Sequence, residues 1–120
     1  TIERAKAYHK RYNIPYHNLV PEDGVVHLSE RIKREHNVYE KGDILLDHHC
    51  DAYSKESANG FSTFTYKNIS SLSKTLNMNY AESNTDIRNR GCKTANFYML
   101  RKSKSKAILI ECGFFSDNFL

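Results

Sequence analysis

No stretch of the 120-residue chain approaches the roughly 18 consecutive apolar residues that a membrane-spanning helix needs, so no transmembrane helix is encoded. The first ten residues, "TIERAKAYHK", have neither the apolar core nor the small-residue cleavage site of a secretory signal peptide. Export is therefore expected to use a segment outside these residues or another route. The three cysteines, Cys50, Cys92 and Cys112, are odd in number and lack Cys-x-x-Cys spacing. That pattern supports neither a disulfide framework nor a thiolate zinc knuckle and points to free thiols. There is no internal repeat, low-complexity tract or linker-like run, so the chain is expected to form one domain over residues 1–120. What is present is ordinary globular composition, 39% hydrophobic and 27% charged. The formal net charge of +4 suits nucleic acid, anionic lipid or an anionic wall polymer and selects none of them.

Hydrophobic periodicity predicts a helix over Ile2 to Tyr12, stopped by Asn13 and Pro15. A second amphipathic helix is predicted from Val25 to Val38, with Val25, Leu28, Ile32 and Val38 inward, Arg31, Lys33 and Arg34 outward, and Gly42 ending it. "DILLDHH" then reads as a short apolar strand of the kind buried inside a parallel sheet. From Ala58 to Tyr66 aromatic and hydroxyl side chains alternate, a second strand, and Asn68 caps a helix carrying Ile69, Leu72 and Leu76. Asn79 to Ala95 is polar and turn-rich and reads as a long loop around Gly91. "NFYMLR" and "KAILIECGFF" read as two further strands. Alternating strands and helices predict an α/β fold, three-layered, with a mostly parallel twisted sheet flanked by helices.

In such a sheet ligands bind beyond the carboxyl ends of the strands. His48, His49 and Asp51 stand at one such end, and Glu111, after "AILI", stands at another. A carboxylate closing a central apolar strand is costly to bury unless something pairs with it or uses its shifted pKa. An imidazole and a carboxylate on neighbouring strands are the minimum for metal-assisted hydrolysis. Two readings stand side by side here: a histidine hydrogen-bonded in the core with a paired core acid, or a metal ligand with a proton-transfer group.

Two ordered motifs resemble a known family. "ILLDHHCDAYSKESANGFSTFTY" is similar to the strand, loop and strand of the zinc-dependent N-acetylmuramoyl-L-alanine amidases. There an apolar strand ends in histidine, a small residue, Asn or Asp, and Ala. "NRGCKTANFYMLRKSKSKAILIECGFF" is similar to that family's closing signature: Asn-Arg-Gly, a lysine, an aromatic strand ending in Leu-Arg, and an apolar strand ending in Glu-x-Gly-Phe. "HLSERIKREHN" also resembles the family's Leu-Ser-Glu-Arg helix.

The resemblance implies a peptidoglycan hydrolase of autolysin or endolysin type, with Zn2+ as cofactor. His49 falls on the zinc-ligand position, two residues before Asp51, and Glu111 falls on the catalytic glutamate. Arg90, in the Asn-Arg-Gly loop, is implied as a substrate-binding residue, with Gly91 permitting the turn. His48 takes a position that the family fills with an aliphatic residue, and strand alternation turns it to the opposite face. The family's other two zinc ligands, a histidine in a Gly-His-Gly-Gly-like loop and a glutamate on the following helix, have no counterpart here. Either the domain is incomplete at both ends, lacking its first strand and last helix, or its metal has been lost. The expected place of action is extracellular or in the cell wall, and a wall-binding domain can accompany the chain from outside these residues. A metal-free wall-binding module is the alternative to an enzyme. Nucleic acid, suggested by "LRKSKSK", is not expected as a partner, because that run also reads as a solvated connection between two strands.

Overall fold

The computed structural model describes residues 2–51, 60–83 and 85–114, with side chains described for most of these. They fall in two compact units, Thr1–Val38 and Tyr39–Leu120. Among the described residues no helix is long and apolar enough to cross a membrane.

The first unit holds α1 (Ile2–Arg11) and α2 (Leu28–Val38). α1 ends where the sequence places its stop signals. Asn13 adopts a left-handed φ of 53°, and the Ile14 amide donates to the His9 carbonyl at 2.8 Å, closing the last turn before Pro15. α2 starts three residues later than predicted. The His27 ring accepts from the Ser29 amide (3.2 Å), taking up one of the amides a helix start leaves without a partner, while Val25 is almost fully solvent-exposed instead of facing inward. Arg34 is not simply turned outward. Its guanidinium donates to the Leu19 carbonyl (2.9 Å) and meets Glu22 (2.6 Å) and Glu30 (3.2 Å), tying the extended segment before α2 to the helix. The helix face carries buried Ile32 and, against expectation, buried Glu35, whose carboxylate lies 3.5 Å from His36 Nε2.

The second unit is a four-stranded sheet in the order β1-β4-β2-β3, where β1 is Ile44–Asp51, β2 Phe61–Thr65, β3 Asn89–Thr94 and β4 Lys106–Phe114. Helix α3 (Ser71–Ser83) connects β2 to β3, and the single-turn α4 (Tyr98–Lys102) precedes β4. The α/β class is as predicted, and β1 with β4 and β2 with β3 pair in parallel. The middle pairing, β4 with β2, is antiparallel, so the sheet is mixed.

β1, read from the sequence as buried inside a parallel sheet, stands at the edge of the four-stranded order, with Ile44 and Leu46 exposed. Two segments take a different secondary structure from the sequence reading. "NFYMLR" is not a strand: its last four residues lie in α4, where Met99 and Leu100 are buried. A short apolar run has no period of its own, and Met, Leu, Arg and Lys are good helix formers. "NRGCKT" is not loop but β3, an edge strand whose lysine and arginine blunt its open side. Of the predicted strand from Ala58, the first two residues lie outside the described residues.

Strand alternation sorts the sheet into two faces. On one, Phe61, Thr63 and Cys92 meet α3: Phe61 packs on Tyr80 at 4.0 Å between ring centroids, and the buried Thr63 and Ser73 hydroxyls share a 2.8 Å hydrogen bond. Cys92 is a free thiol donating weakly to the Ser73 carbonyl, and Asn77 and Asn89 exchange two amide hydrogen bonds of 3.1 and 2.8 Å. Ile108 and Ile110, both buried, fill the centre of this face from β4. The other face carries Phe64, which meets Phe97 edge-on at 5.5 Å and Lys93 at 5.8 Å.

Candidate functional site

The apolar runs Ile44–Leu46 and Ala107–Ile110 form adjacent parallel strands, and their registers bring the polar residues that end each run together. His49 pairs with Glu111 across β1 and β4. In-register residues of neighbouring strands project to the same face, with backbones about 4.8 Å apart. On the far side of β4, Glu111 pairs with Ser62 of β2. Ser62 in turn lies opposite a bulge in β3: Phe61 pairs with Asn89 and Thr63 with Cys92, so Arg90 and Gly91 together face one residue. Gly91 takes a φ of 88°, which a side chain would resist. A single row thus crosses the sheet, His49, Glu111, Ser62 and then Arg90–Gly91, three strand spacings or roughly 14 Å from end to end.

A second irregularity adjoins the row. Beyond His49–Glu111 the register slips, and Asp51 pairs with Phe114. Bulges commonly re-aim side chains beside functional sites, and here two of them border the same row.

Glu111 is buried, 6% exposed, whereas the His49 side chain is 38% exposed. An acid held in protein beside a ring open to solvent suits a proton-transfer group next to a ligand-facing one. Asp47, two residues before His49 and so on its face, is the member of this cluster that the sequence reading left without a role. Its Oδ2 is 3.1 Å from His49 Nε2, an ion-pair distance, although the two atoms are not aligned as a hydrogen bond. The two-residue spacing Asp-x-His in a strand was the signal that could have found it. Ser62, equally unassigned, is a buried serine beside Glu111.

His48 points to the opposite face, as alternation requires. Although the residue is exposed overall, burial of its ring pushes its pKa below the ordinary histidine value, with the Asp47 carboxylate acting the other way. Arg90 stands at the far end of the row rather than beside His49, and its aliphatic stem packs close to Gly60. Asp51 lies in β1, and its side chain is outside the described residues, as are those of Cys50 and Cys112.

Among the described residues no three His, Cys, Asp or Glu side chains converge as a metal-binding group. The chemistry of the cluster fits part of a zinc site, an imidazole nitrogen with a carboxylate one strand away. A catalytic zinc usually takes three protein ligands, so further donors would have to come from beyond these residues.

Comparison with known proteins agrees with this architecture. The family described as N-acetylmuramoyl-L-alanine amidase matches residues 5–118. A Staphylococcus aureus protein named "Probable cell wall amidase LytH" is 35% identical over 78 residues, which is 64% of this chain and 26% of that protein. The chain therefore spans about a quarter of the length of the curated relatives it matches. Among solved structures, the amidase AmiC2 of Nostoc punctiforme superposes with a TM-score of 0.83 at 24% identity, over 93% of this chain and 62% of that one. An N-acetylmuramoyl-L-alanine amidase from Clostridium difficile 630 gives 0.70 at 29% identity, over 81% and 53%.

Proposed function

This chain belongs to the N-acetylmuramoyl-L-alanine amidase family, and from that premise we propose that it is the catalytic part of a peptidoglycan hydrolase acting in the cell wall or extracellular space. The bond cleaved is the amide between the lactyl group of N-acetylmuramic acid and L-alanine. Water adds across the C–N bond, leaving a carboxylate on the lactyl side and a free amine on the alanine.

The observation that carries the reading is the register pairing of His49 with Glu111. His49 would hold zinc through a ring nitrogen, together with donors from outside the described residues. A zinc ion held there would supply Lewis-acid chemistry, polarising the scissile carbonyl and making water a better nucleophile near neutral pH. Glu111 accepts the proton of the attacking water and returns it to the departing amine, so one carboxylate serves as base and then as acid. Its burial suits this, because a carboxylate shielded from bulk water does not lose the proton to solvent between the two steps. Arg90, on the edge strand at the other end of the row, offers a cation to a carboxylate of the stem peptide.

Glu111→Gln tests the assignment, since it keeps the side chain's size and removes its basicity. In the full protein it is expected to lower release of free amine from purified walls by about 100-fold or more while zinc content stays the same. Undiminished cleavage by that variant would remove Glu111 from the mechanism. Wild-type protein that binds walls but releases no amine would favour the wall-binding module instead.

A further inference from the structure

The Asp47–His49 contact is not accounted for by the roles above. Asp47 is a carboxylate with a side chain only 11% exposed, which is costly unless it is paired. Its Oδ2 sits 3.1 Å from Nε2 of His49, the side chain two residues on along the same face of β1. A carboxylate beside one ring nitrogen favours the proton on that nitrogen, because an N–H pointing at negative charge is stabilised while a lone pair pointing at it is repelled. The lone pair then belongs to Nδ1.

We propose that Asp47 is a positioning residue that holds His49 in its Nε2–H form, so that Nδ1 is the nitrogen presented to a ligand at the row shared with Glu111. The zinc part of this rests on the function proposed above, but the tautomer part does not. Asp47 lies in the same strand as His49, so its placement depends only on strand alternation and on the rotamers of two neighbours.

The test reads the ring directly. In metal-free protein labelled with 15N-histidine, long-range 1H–15N spectra distinguish the two tautomers of His49. Wild type is expected to be predominantly Nε2–H, and Asp47→Ala is expected to move the ring toward a mixed population. Should the alanine variant not fold, Asp47→Asn, close in volume and uncharged, is read in the same way. Competition with a chromophoric chelator then gives zinc affinity, expected to fall by about 10–100-fold in either variant. A His49 ring whose tautomer is unchanged in a folded variant overturns the proposal. A tautomer change in a protein that binds no zinc even as wild type sustains Asp47 as the positioning residue and removes instead the metal role of His49.

Discussion

His49 and Glu111, 62 positions apart in the chain, occupy the same register position of two parallel strands and project to one face of the sheet. Nothing local joins them. The sheet brings an imidazole that solvent can reach beside a carboxylate that solvent barely touches, and the consequences can be measured.

Zinc should depend on the imidazole. His49→Ala in the full protein is expected to weaken zinc binding by about 100-fold or more, beyond the loss typical of an outer-sphere partner, as read by metal analysis after dialysis against buffered zinc. His48→Ala, on the opposite face, should leave zinc content unchanged. Equal metal content in the His49 variant would assign the site to other residues.

Gly60 should not tolerate a side chain. Its φ is 104°, and a Cβ added there would collide with the Arg88 carbonyl oxygen, the acceptor of the Phe61 amide. Gly60→Ala is expected to destabilise the sheet by about 1–3 kcal/mol, visible as a lower urea midpoint. Loss of activity at the same time would follow if the bulge holding Arg90 moves with it.

The Thr63–Ser73 hydroxyl pair is fully buried between β2 and α3. Thr63→Val leaves the Ser73 hydroxyl without this partner and is expected to cost about 1–3 kcal/mol. The double variant Thr63→Val with Ser73→Ala should cost less than the two single changes added together, because the remaining buried hydroxyl is gone. Strict additivity in denaturant unfolding would mean the two hydroxyls are not coupled.

Glu22 gives a pH dependence of known sign. Its pKa is lowered in the folded protein, first by the hydrogen bond from Arg34. A depressed carboxylate contributes stability above the ordinary glutamate value of about 4.3 and loses it as pH falls through the depressed one. Both side chains meet solvent, so the contribution is small. Arg34→Ala should return Glu22 toward the ordinary value in a carboxyl NMR titration, and the stability gap between variant and wild type should narrow in acid. A gap that persists undiminished at low pH would point to the Leu19 carbonyl contact instead.

The chain's own residues determined its α/β class, the stop of α1 at Asn13, the strand character of β1 and β4, and the polar groups that end them. These follow from local chemistry: apolar runs bounded by breakers, and a glycine or asparagine where the backbone turns left-handed. The resemblance to the amidases was likewise legible, because it rests on ordered motifs, and the family match over residues 5–118 bears it out. Tertiary structure alone decided the rest. Asn, Gly and Lys are depleted in strands, and "NRGCKT" is extended because β2 offers it an edge to pair with. Tyr98–Lys102 is helical and buries Met99 and Leu100, although its short apolar run carries no period that separates helix from strand. The antiparallel pairing of β4 with β2, and the register that sets Glu111 between His49 and Ser62, are choices among long-range pairings. A shift of one residue would send every side chain of a strand to the other face, so only the packed sheet selects which histidine meets the acid.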